Sequence, residues 1–350
     1  MAKINLLTLH YSPNNGSFLQ SYCTCEILKE CGHDVTIINL QKKSTVLGKY
    51  KSLRTYLYLP RYFKFWFYRK LKFSAKETRL MFDINKQYIP KADYTIVGSD
   101  QVWNMDLIKR KNLPFFLDFV DDNSKKISLS SSFGKKDWEC NNDLTQKVKK
   151  LLSQFDAISV REESGIDICR DAFNVSATCI VDPTLAYGDF SKLIKFKAEK
   201  QEVGCFIFKH QGYAFDVIDF IANKEKLGVR VLNNIGRKGY KYNSFWKQSP
   251  IEWLQAIQQS KIFVSDSFHG VACSIILNKQ FVAVCADEKK FERIRSMLTI
   301  FGLTDKIVMS LNELKERYDE VLTPIDYEKV NAIKVEKQRE FYDFIKKNIQ

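Results

Sequence analysis

The sequence predicts an α/β protein with two Rossmann-like domains that face each other across a central cleft. Short apolar runs, typical of buried parallel strands, alternate with helical segments along the chain. Many of these runs end in a polar cluster that contains Gly, Ser, Asp or Arg. The alternation begins again near residue 203, and a chain of 350 residues is long enough for two domains.

The chain opens with a predicted βαβ unit. Residues 3–9 form the first predicted strand, and the helical periodicity of residues 18–31 predicts a helix that ends at Gly32. Residues 35–40 form the second predicted strand. The turn at residues 10–17 lacks the G-x-G-x-x-G signature, so the sequence does not indicate a nucleotide cofactor.

Four further strands of the first domain share one arrangement, in which an apolar run is followed directly by a polar cluster. They are residues 94–97, 127–130, 157–160 and 178–181. Any one of these clusters could be a helix cap. Because the carboxyl ends of parallel strands lie along one edge of an open sheet, four such clusters predict a ligand-binding edge.

The same alternation predicts the second domain. Its predicted strands and helices, in chain order, are residues 203–208, 229–233, 251–259, 261–264, 271–277, 281–285 and 291–298. We expect an N-terminal domain over residues 1–185, with a basic aromatic insertion at 42–90, and a C-terminal domain over 186–326. The helical, charged residues 327–350 are expected to pack back on the first domain.

The polar turn at residues 265–270 is a candidate anion site in the predicted second domain. It joins the strand at 261–264 to the helix at 271–277, and it contains His269. A helix N-terminus favours anions because its N–H groups and its dipole are positive. His269 would therefore lie beside a bound anion, where it could act in catalysis. The alternative is that His269 only caps the helix.

The composition favours a soluble, cytoplasmic globular protein without a bound metal. Apolar residues make up 45% of the chain and charged residues 27%, and no stretch approaches the roughly 20 apolar residues of a spanning helix. Residues 1–9 are too short and too polar for a secretion signal. The nine cysteines have no regular spacing, which predicts reduced thiols, and the four histidines are scattered.

The net charge of +14 is concentrated in one segment. Residues 42–76 contain eleven Lys and Arg, and no acidic residue lies between Asp34 and Glu77. The interleaved aromatic residues include Tyr56, Tyr58, Tyr62, Phe63, Phe65, Trp66, Phe67, Tyr68 and Phe73. Such a segment could bind nucleic acid or an anionic membrane, and the dense aromatic cluster favours the membrane. The alternative is a partly buried helical hairpin with a solvated basic face.

Five stretches taken together resemble the polysaccharide pyruvyl transferase family. They are residues 15–20, 98–104, 159–165, 265–270 and 293–303. The run Gly98-Ser-Asp-Gln-Val-Trp-Asn104 is the most specific of them. The similarity spans about residues 3–310 and follows the order of the family.

The resemblance implies a fold similar to the two-domain glycosyltransferases called GT-B. It also implies phosphoenolpyruvate as the donor substrate, no cofactor, and a reaction that forms a cyclic pyruvate ketal on two hydroxyls of a sugar. The acceptor would be a surface or capsular polysaccharide or its lipid-linked precursor. With a lipid-linked acceptor, the segment at 42–76 would bind the inner face of the cytoplasmic membrane. No nucleic-acid partner is expected.

The donor site implied by this reaction needs cations and N–H donors, because phosphoenolpyruvate carries about three negative charges. The expected donor-binding residues are Arg161, Lys209, Ser267, Gly270, Arg293 and Arg295. Some family members have Arg at the position of Ser267. If that Arg binds the donor in those members, another cation must bind it here. His269 is expected to be the general acid that protonates the enol carbon.

The acceptor site is expected in the first domain. Asp100 is expected either to accept the proton of an attacking hydroxyl or simply to bind acceptor hydroxyls. The other expected acceptor-binding residues are Asn15, Gly16, Gln20, Gln101 and Trp103.

Two other functions fit the same fold class. A glycosyltransferase of the GT-B type would use a nucleotide sugar, but the second domain has no recognisable nucleotide motif. A non-catalytic relative that binds sugar or membrane is suggested by Ser267, whereas the presence of His269, Arg161 and Arg293 argues for an active enzyme.

Overall fold

The structure is a computed structural model that describes residues 1–41, 53–108, 113–208, 212–233, 247–285 and 288–350. The chain forms two compact units. The first contains Met1–Leu59, Arg69–Tyr187 and Glu336–Gln350, and the second contains Pro60–Tyr68 and Gly188–Val335. Each unit has its own parallel sheet, so the α/β class and the two Rossmann-like domains are confirmed.

The first unit is built on seven parallel strands. They are β1 (Lys3–Leu7), β2 (Asp34–Ile37), β3 (Lys76–Glu77), β4 (Tyr94–Val97), β5 (Lys125–Ser131), β6 (Ala157–Val160) and β7 (Thr178–Cys179). Their order across the sheet is β3-β2-β1-β4-β5-β6-β7. The chain moves outward in one direction from β1 and in the other direction from β4. The strand order therefore reverses between β1 and β4, which is where ligands bind in open α/β sheets.

Helices connect these parallel strands, as parallel pairing requires. The described helices up to Tyr187 are α1 (Asn15–Glu30), α2 (Leu53–Lys72), α3 (Met105–Ile108), α4 (Asn142–Leu152), α5 (Glu163–Phe173) and α6 (Pro183–Tyr187). Helix α1 begins after Asn14, whose side-chain oxygen accepts from the N–H of Ser17 at 3.2 Å. Gly32 follows this helix with φ 86°, a left-handed conformation that glycine adopts without strain.

The second unit has five parallel strands. They are β8 (Lys200–Phe206), β9 (Gly228–Val231), β10 (Ser260–Ser265), β11 (Gln280–Val284) and β12 (Ile307–Val308). Their order is β12-β11-β10-β8-β9, so the reversal of strand order lies between β8 and β10. The loop after β10 contains His269, and it therefore lies where this type of sheet holds ligands.

Seven helices are described for the rest of the chain. They are α7 (Gly212–Lys224), α8 (Pro250–Gln259), α9 (Phe268–Ile276), α10 (Glu288–Ile300), α11 (Leu311–Glu316), α12 (Tyr318–Leu322) and α13 (Tyr327–Asn348). Helix α8 starts with a capping box, in which Ser249 and Glu252 bond to each other's backbone N–H. No helix in the described part of the chain combines the length and the apolar character needed to cross a bilayer.

Several element boundaries differ from the sequence-based expectation. Strands β4 and β6 have the predicted bounds, but β1 ends at Leu7, two residues earlier than expected. Helix α9 starts at Phe268 rather than at residue 271, because Ser267 caps it and allows the polar turn to enter the helix.

The division into units also differs from the expected domains. The boundary follows Tyr187, close to the expected one. Pro60–Tyr68 belongs to the second unit, although the whole insertion was expected in the first domain. Within the second unit, Lys64 Nζ of this segment lies 2.7 Å from Glu252 Oε2. Helix α13 contributes residues 327–335 to the second unit and the rest to the first.

Candidate active site

The loops at the carboxyl edge of the first sheet are tied together by side chains. Thr8 Oγ1 donates to the carbonyl of Ser99 at 3.2 Å, which joins the loops after β1 and β4. Ser131 Oγ donates to the carbonyl of Gly98 at 3.0 Å, and Ser130 Oγ to that of Val181 at 3.0 Å. These bonds bring the polar ends of β1, β4, β5 and β7 into one cluster.

Asp100 lies in this cluster with a backbone conformation that few residues adopt. Its φ is 74°, in the left-handed region, which Asp tolerates better than most residues because its short side chain can bond locally. Oδ1 accepts from the N–H of Gln101 at 2.9 Å, and Oδ2 accepts from Ser17 Oγ at 3.0 Å. Each carboxylate oxygen has two acceptor positions, so Asp100 can also accept from a ligand hydroxyl.

Arg161 is buried among three carboxylates of the same unit. Its Nη1 donates to Asp182 Oδ2 at 2.7 Å, its Nη2 lies 3.9 Å from Asp100 Oδ1, and its Nε lies 3.8 Å from Glu162 Oε2. Burial alone would lower the pKa of Arg161, but the carboxylates outweigh burial and raise this pKa above its usual value. In the described contacts, three carboxylates surround this one cation. Such surroundings suit neutral hydroxyl groups better than a phosphate.

Asp182 completes the network from the end of β7. Its Oδ2 also accepts from Ser99 Oγ at 2.8 Å, and its Oδ1 accepts from Thr184 Oγ1 at 2.7 Å. The polar cluster at this strand end was expected from the sequence, but Asp182 itself was not among the expected site residues. The available signal was its position directly after an apolar run.

The N-terminus of α1 contains three of the expected acceptor-binding residues. Gln20 is fully buried, and its Nε2 donates to Thr8 Oγ1 at 2.9 Å and to the carbonyl of Leu9 at 3.0 Å, so it holds the β1–α1 loop in place. Asn15 is also buried, and within the described part of the chain neither its Oδ1 nor its Nδ2 has a hydrogen-bond partner. Gly16 is the second residue of this helix. Asn15 therefore retains unused hydrogen-bonding capacity for a ligand.

The expected acceptor residues after β4 have different surroundings. Trp103 is fully buried, its ring stacks on Phe116 with centroids 5.6 Å apart, and its Nε1 donates to the carbonyl of Phe115 at 2.8 Å. It supports the loop from inside and offers no face to a ligand in this structure. Gln101 is half-buried, and its Oε1 accepts from Asn104 Nδ2 at 2.8 Å.

His10 is a site residue that the sequence analysis did not single out. Its Nδ1 lies 3.1 Å from the carbonyl of Thr8, and because a carbonyl can only accept, this nitrogen carries the proton. Burial, and then the charge of Arg69, lower the pKa of His10 to about 4. The imidazole is therefore neutral at pH 7. Its Nε2 lone pair has no hydrogen-bond partner within the described residues.

This neutral histidine predicts a pH-dependent stability. The unfolded value of 6.5 is above the folded value of about 4, so the unfolded chain binds more protons between them. The stability that His10 contributes is complete above about pH 6.5 and is lost as the pH falls towards 4. When the pH falls from 7 to 5, the free energy of unfolding of the wild type should decrease by about 2 kcal/mol more than that of His10→Asn. Denaturant titration at both pH values measures the two decreases. Equal losses in both proteins would contradict this assignment.

In the second unit, the turn after β10 is held by short polar contacts. Ser265 Oγ donates to the carbonyl of Phe206 at 2.7 Å and accepts from the N–H of Ser267 at 3.1 Å. Asp266 Oδ1 accepts from the N–H of Phe208 at 2.6 Å, which joins the turn to the end of β8. Gly270 faces Ser265 Oγ so closely that a Cβ would not fit.

Ser267 and His269 have separate places at the start of α9. Ser267 is the N-cap, and its Oγ accepts from the N–H of Gly270 at 3.3 Å. His269 is the second residue of the helix, and its side chain is almost completely buried. The alternative in which His269 caps the helix is therefore wrong, because Ser267 takes that role.

Two of the remaining expected donor residues lie on one helix of the second unit. Helix α10 packs against α9 and contains Arg293, which is half-buried, and Arg295, which is exposed. Residues two apart on a helix point to different sides, which explains their different exposure. Lys209 lies outside the described residues. Within the described ranges, no group of three His, Cys, Asp or Glu residues could hold a metal ion.

The comparison with solved structures identifies the fold. The structure is similar over 97% of its length to 97% of a putative UDP-N-acetylglucosamine 2-epimerase from Listeria monocytogenes, with TM-score 0.53 and 10% identity. It is also similar over 97% of its length to the whole of UDP-GlcNAc 2-epimerase from Neisseria meningitidis, with TM-score 0.51 and 10% identity. At these identities the likeness shows the fold alone, which is the GT-B type expected from the sequence.

The comparison of sequences identifies the family. No curated protein matches the chain. The family described as polysaccharide pyruvyl transferase matches residues 14–285, and this range contains the polar loops after β4, β6 and β10. Because the match covers most of the chain, this protein is a member of the polysaccharide pyruvyl transferase family.

Proposed function

We propose that this protein transfers pyruvate from phosphoenolpyruvate to two hydroxyls of a sugar, forming a cyclic ketal and releasing phosphate. The acceptor would belong to a surface or capsular polysaccharide or to its lipid-linked precursor. The observation that carries the proposal is the position of His269 at the start of α9. This helix follows strand β10, beside which the strand order of the second sheet reverses.

The second unit is suited to the donor. Its helix α9 begins in a turn that Ser265 and Ser267 hold in place, and the positive end of the helix dipole favours the phosphate or carboxylate of phosphoenolpyruvate. Arg293 on the adjacent helix would supply a full positive charge. In this proposal His269 donates a proton to the methylene carbon, which makes the neighbouring carbon open to attack by a hydroxyl.

The first unit is suited to the acceptor. The carboxylates around Arg161 disfavour an anion, whereas Asp100 has acceptor positions for a sugar hydroxyl. Asp100 would bind the attacking hydroxyl or remove its proton. Arg161, one of the expected donor-binding residues, would instead position Asp100 and Asp182. The second hydroxyl of the sugar then attacks the same carbon, the bond from that carbon to the phosphate oxygen breaks, and the phosphate leaves with the proton of that hydroxyl.

The test is incubation of the purified protein with phosphoenolpyruvate and a panel of lipid-linked and free oligosaccharides. We expect phosphate release that depends on the acceptor, together with a ketal product detected by mass spectrometry. A parallel panel of nucleotide sugars separates this function from that of a glycosyltransferase. Turnover of a nucleotide sugar without consumption of phosphoenolpyruvate would contradict the proposal.

The role of Arg293 predicts a change in donor use. Arg293→Ala should raise the KM for phosphoenolpyruvate by about tenfold or more, because a charge-assisted hydrogen bond is lost. Arg295→Ala should have a smaller effect, since Arg295 is exposed on another side of the same helix. Steady-state kinetics at varied donor concentration measure both values. A larger effect at Arg295 would show that Arg293 is the wrong residue.

A further inference from the structure

The sheet of the first unit has a row of polar side chains where apolar ones are usual. Thr36, Asn5 and Thr95 lie directly opposite one another on the neighbouring strands β2, β1 and β4. Residues that pair in this way share one face of the sheet. Strands in the middle of a parallel sheet are normally apolar on both faces, because helices cover both. The polar row therefore needs a specific reason.

A cavity of about 600 Å³ lies at this row, near the amino ends of β1, β4 and β5. Asn5 and Thr95 line it, together with Ser124, which directly precedes β5. An adjoining cavity of about 380 Å³ is also lined by Asn5, and by Thr36. Ligand cavities usually measure about 300 to 1,000 Å³, so the larger cavity can hold a small molecule.

The polar groups in the larger cavity keep unused hydrogen-bonding capacity. Asn5 is 3% exposed, and its Nδ2 donates to the carbonyl of Pro90 at 2.7 Å. Within the described residues its Oδ1 has no partner, although a buried amide oxygen is normally paired. Thr95 Oγ1 and Ser124 Oγ lie 3.0 Å apart, so one hydroxyl donates to the other. The proton of the second hydroxyl remains for a ligand.

Apolar side chains line another part of the same cavity. Ile89, Phe119 and Val120 are partly buried, and they pack against the core of the first unit. This packing holds an aromatic ring and two aliphatic side chains in place beside the polar row. A ligand that fits both parts has several hydrogen-bonding groups and one apolar face.

The charges around the cavity nearly balance. Three lysines and two aspartates line it, namely Lys3, Lys86, Lys91, Asp93 and Asp121. Lys86 Nζ pairs with Asp121 Oδ1, and Asp93 Oδ2 accepts from the backbone N–H of Lys3 at 2.7 Å. A phosphate site needs an excess of cations or of N–H donors, so this cavity favours an uncharged ligand.

We propose that this cavity binds a neutral saccharide. The sugar hydroxyls would pair with the amide of Asn5 and with the hydroxyls of Thr95 and Ser124, and the C–H face of the sugar ring would cover Phe119. The cavity lies at the amino edge of the sheet, whereas Asp100 follows the carboxyl end of β4. This site is therefore separate from the proposed acceptor site, and it does not depend on the proposed transfer reaction.

The test is saturation-transfer NMR of the full-length protein with maltose, cellobiose, lactose and sucrose, without phosphoenolpyruvate. We expect at least one of these disaccharides to bind. Glucose and glucose 1-phosphate should bind this site equally weakly or equally well, because the cavity has no excess of cations. Binding of none of the disaccharides would overturn the proposal.

Two substitutions show whether the saccharide is bound in this cavity. Ala92 lines both adjoining cavities, so the larger side chain of Ala92→Phe should fill space there and weaken disaccharide binding by about tenfold or more. Ala177→Phe is the matched control, because Ala177 is also half-buried but lines a different cavity of the same unit. Thr95→Val keeps the shape of the side chain and removes only its hydroxyl, so it should weaken binding by about threefold or more.

Thermal unfolding checks that the three variants remain folded, and Thr95→Val decides the result if Ala92→Phe does not fold. Unchanged binding by either folded variant, or an equal loss in Ala177→Phe, would overturn the proposal. The same holds if glucose 1-phosphate binds at least tenfold more tightly than glucose and Ala92→Phe abolishes this difference, because the cavity would then be a phosphate site.

Discussion

His269→Gln should lower turnover with phosphoenolpyruvate by ~100-fold or more while the protein remains folded, because the loss of a general acid typically has this effect. Glutamine keeps a polar side chain of similar length, but it cannot transfer a proton near neutral pH. The N-cap role belongs to Ser267, whose Oγ accepts from the N–H of Gly270 at 3.3 Å. The substitution therefore leaves the start of α9 capped, and the loss should appear in turnover rather than in stability.

The matched control is His33→Gln. His33 lies directly before β2, at the amino end of the strands, and its Nδ1 accepts from the N–H of Ala2 at 3.4 Å. This edge is opposite the carboxyl ends where ligands bind, so turnover should stay close to that of the wild type. Retention of most turnover by His269→Gln, or an equal loss in the control, would rule out the acid role.

Arg161→Met should lower the free energy of unfolding by about 3–5 kcal/mol, the usual cost of removing one partner from a buried ion pair. Asp182 is fully buried and accepts from Arg161 Nη1 at 2.7 Å, so its charge would lose its nearest cation. Asp100 and Glu162 would lose the same guanidinium at 3.9 and 3.8 Å. Chemical denaturation measures the change directly.

A double-mutant cycle isolates the pair from the packing of the arginine side chain. Arg161→Met combined with Asp182→Asn should cost less than the sum of the single changes, because the double variant buries no unpaired aspartate there. Arg170→Met is the surface control, since its ion pairs with Asp167 and Asp171 are exposed and should contribute no measurable stability. Additive single changes would mean that Arg161 and Asp182 do not stabilise each other.

Much of the fold could be predicted because strands and caps depend on nearby residues. The apolar runs at residues 94–97 and 157–160 are strands β4 and β6, with the expected bounds. Strand β5 is longer than its apolar run, since Lys125 pairs with Tyr94 on the neighbouring strand and extends the ladder. Strand ends therefore depend on the partner strand, which local sequence does not reveal.

The same limit applies to the site. The sequence placed Asp100, Arg161 and His269 at the ends of strands, and the structure locates all three beyond the carboxyl ends of parallel strands. The sequence did not reveal that Trp103 is buried, because an aromatic residue in a polar loop is compatible with either packing or ligand contact.

By itself, the sequence determined the α/β class, the family and the polar loops at the strand ends, because periodicity, caps and motifs act over a few neighbouring residues. Only the tertiary structure decided how the side chains are used. Arg161 meets Asp100 and Asp182 from two other loops, and Pro60–Tyr68 joins the second unit although it lies within the first in sequence. Such partners are distant in the chain, and they meet only when the complete sheets have formed and their loops have closed together.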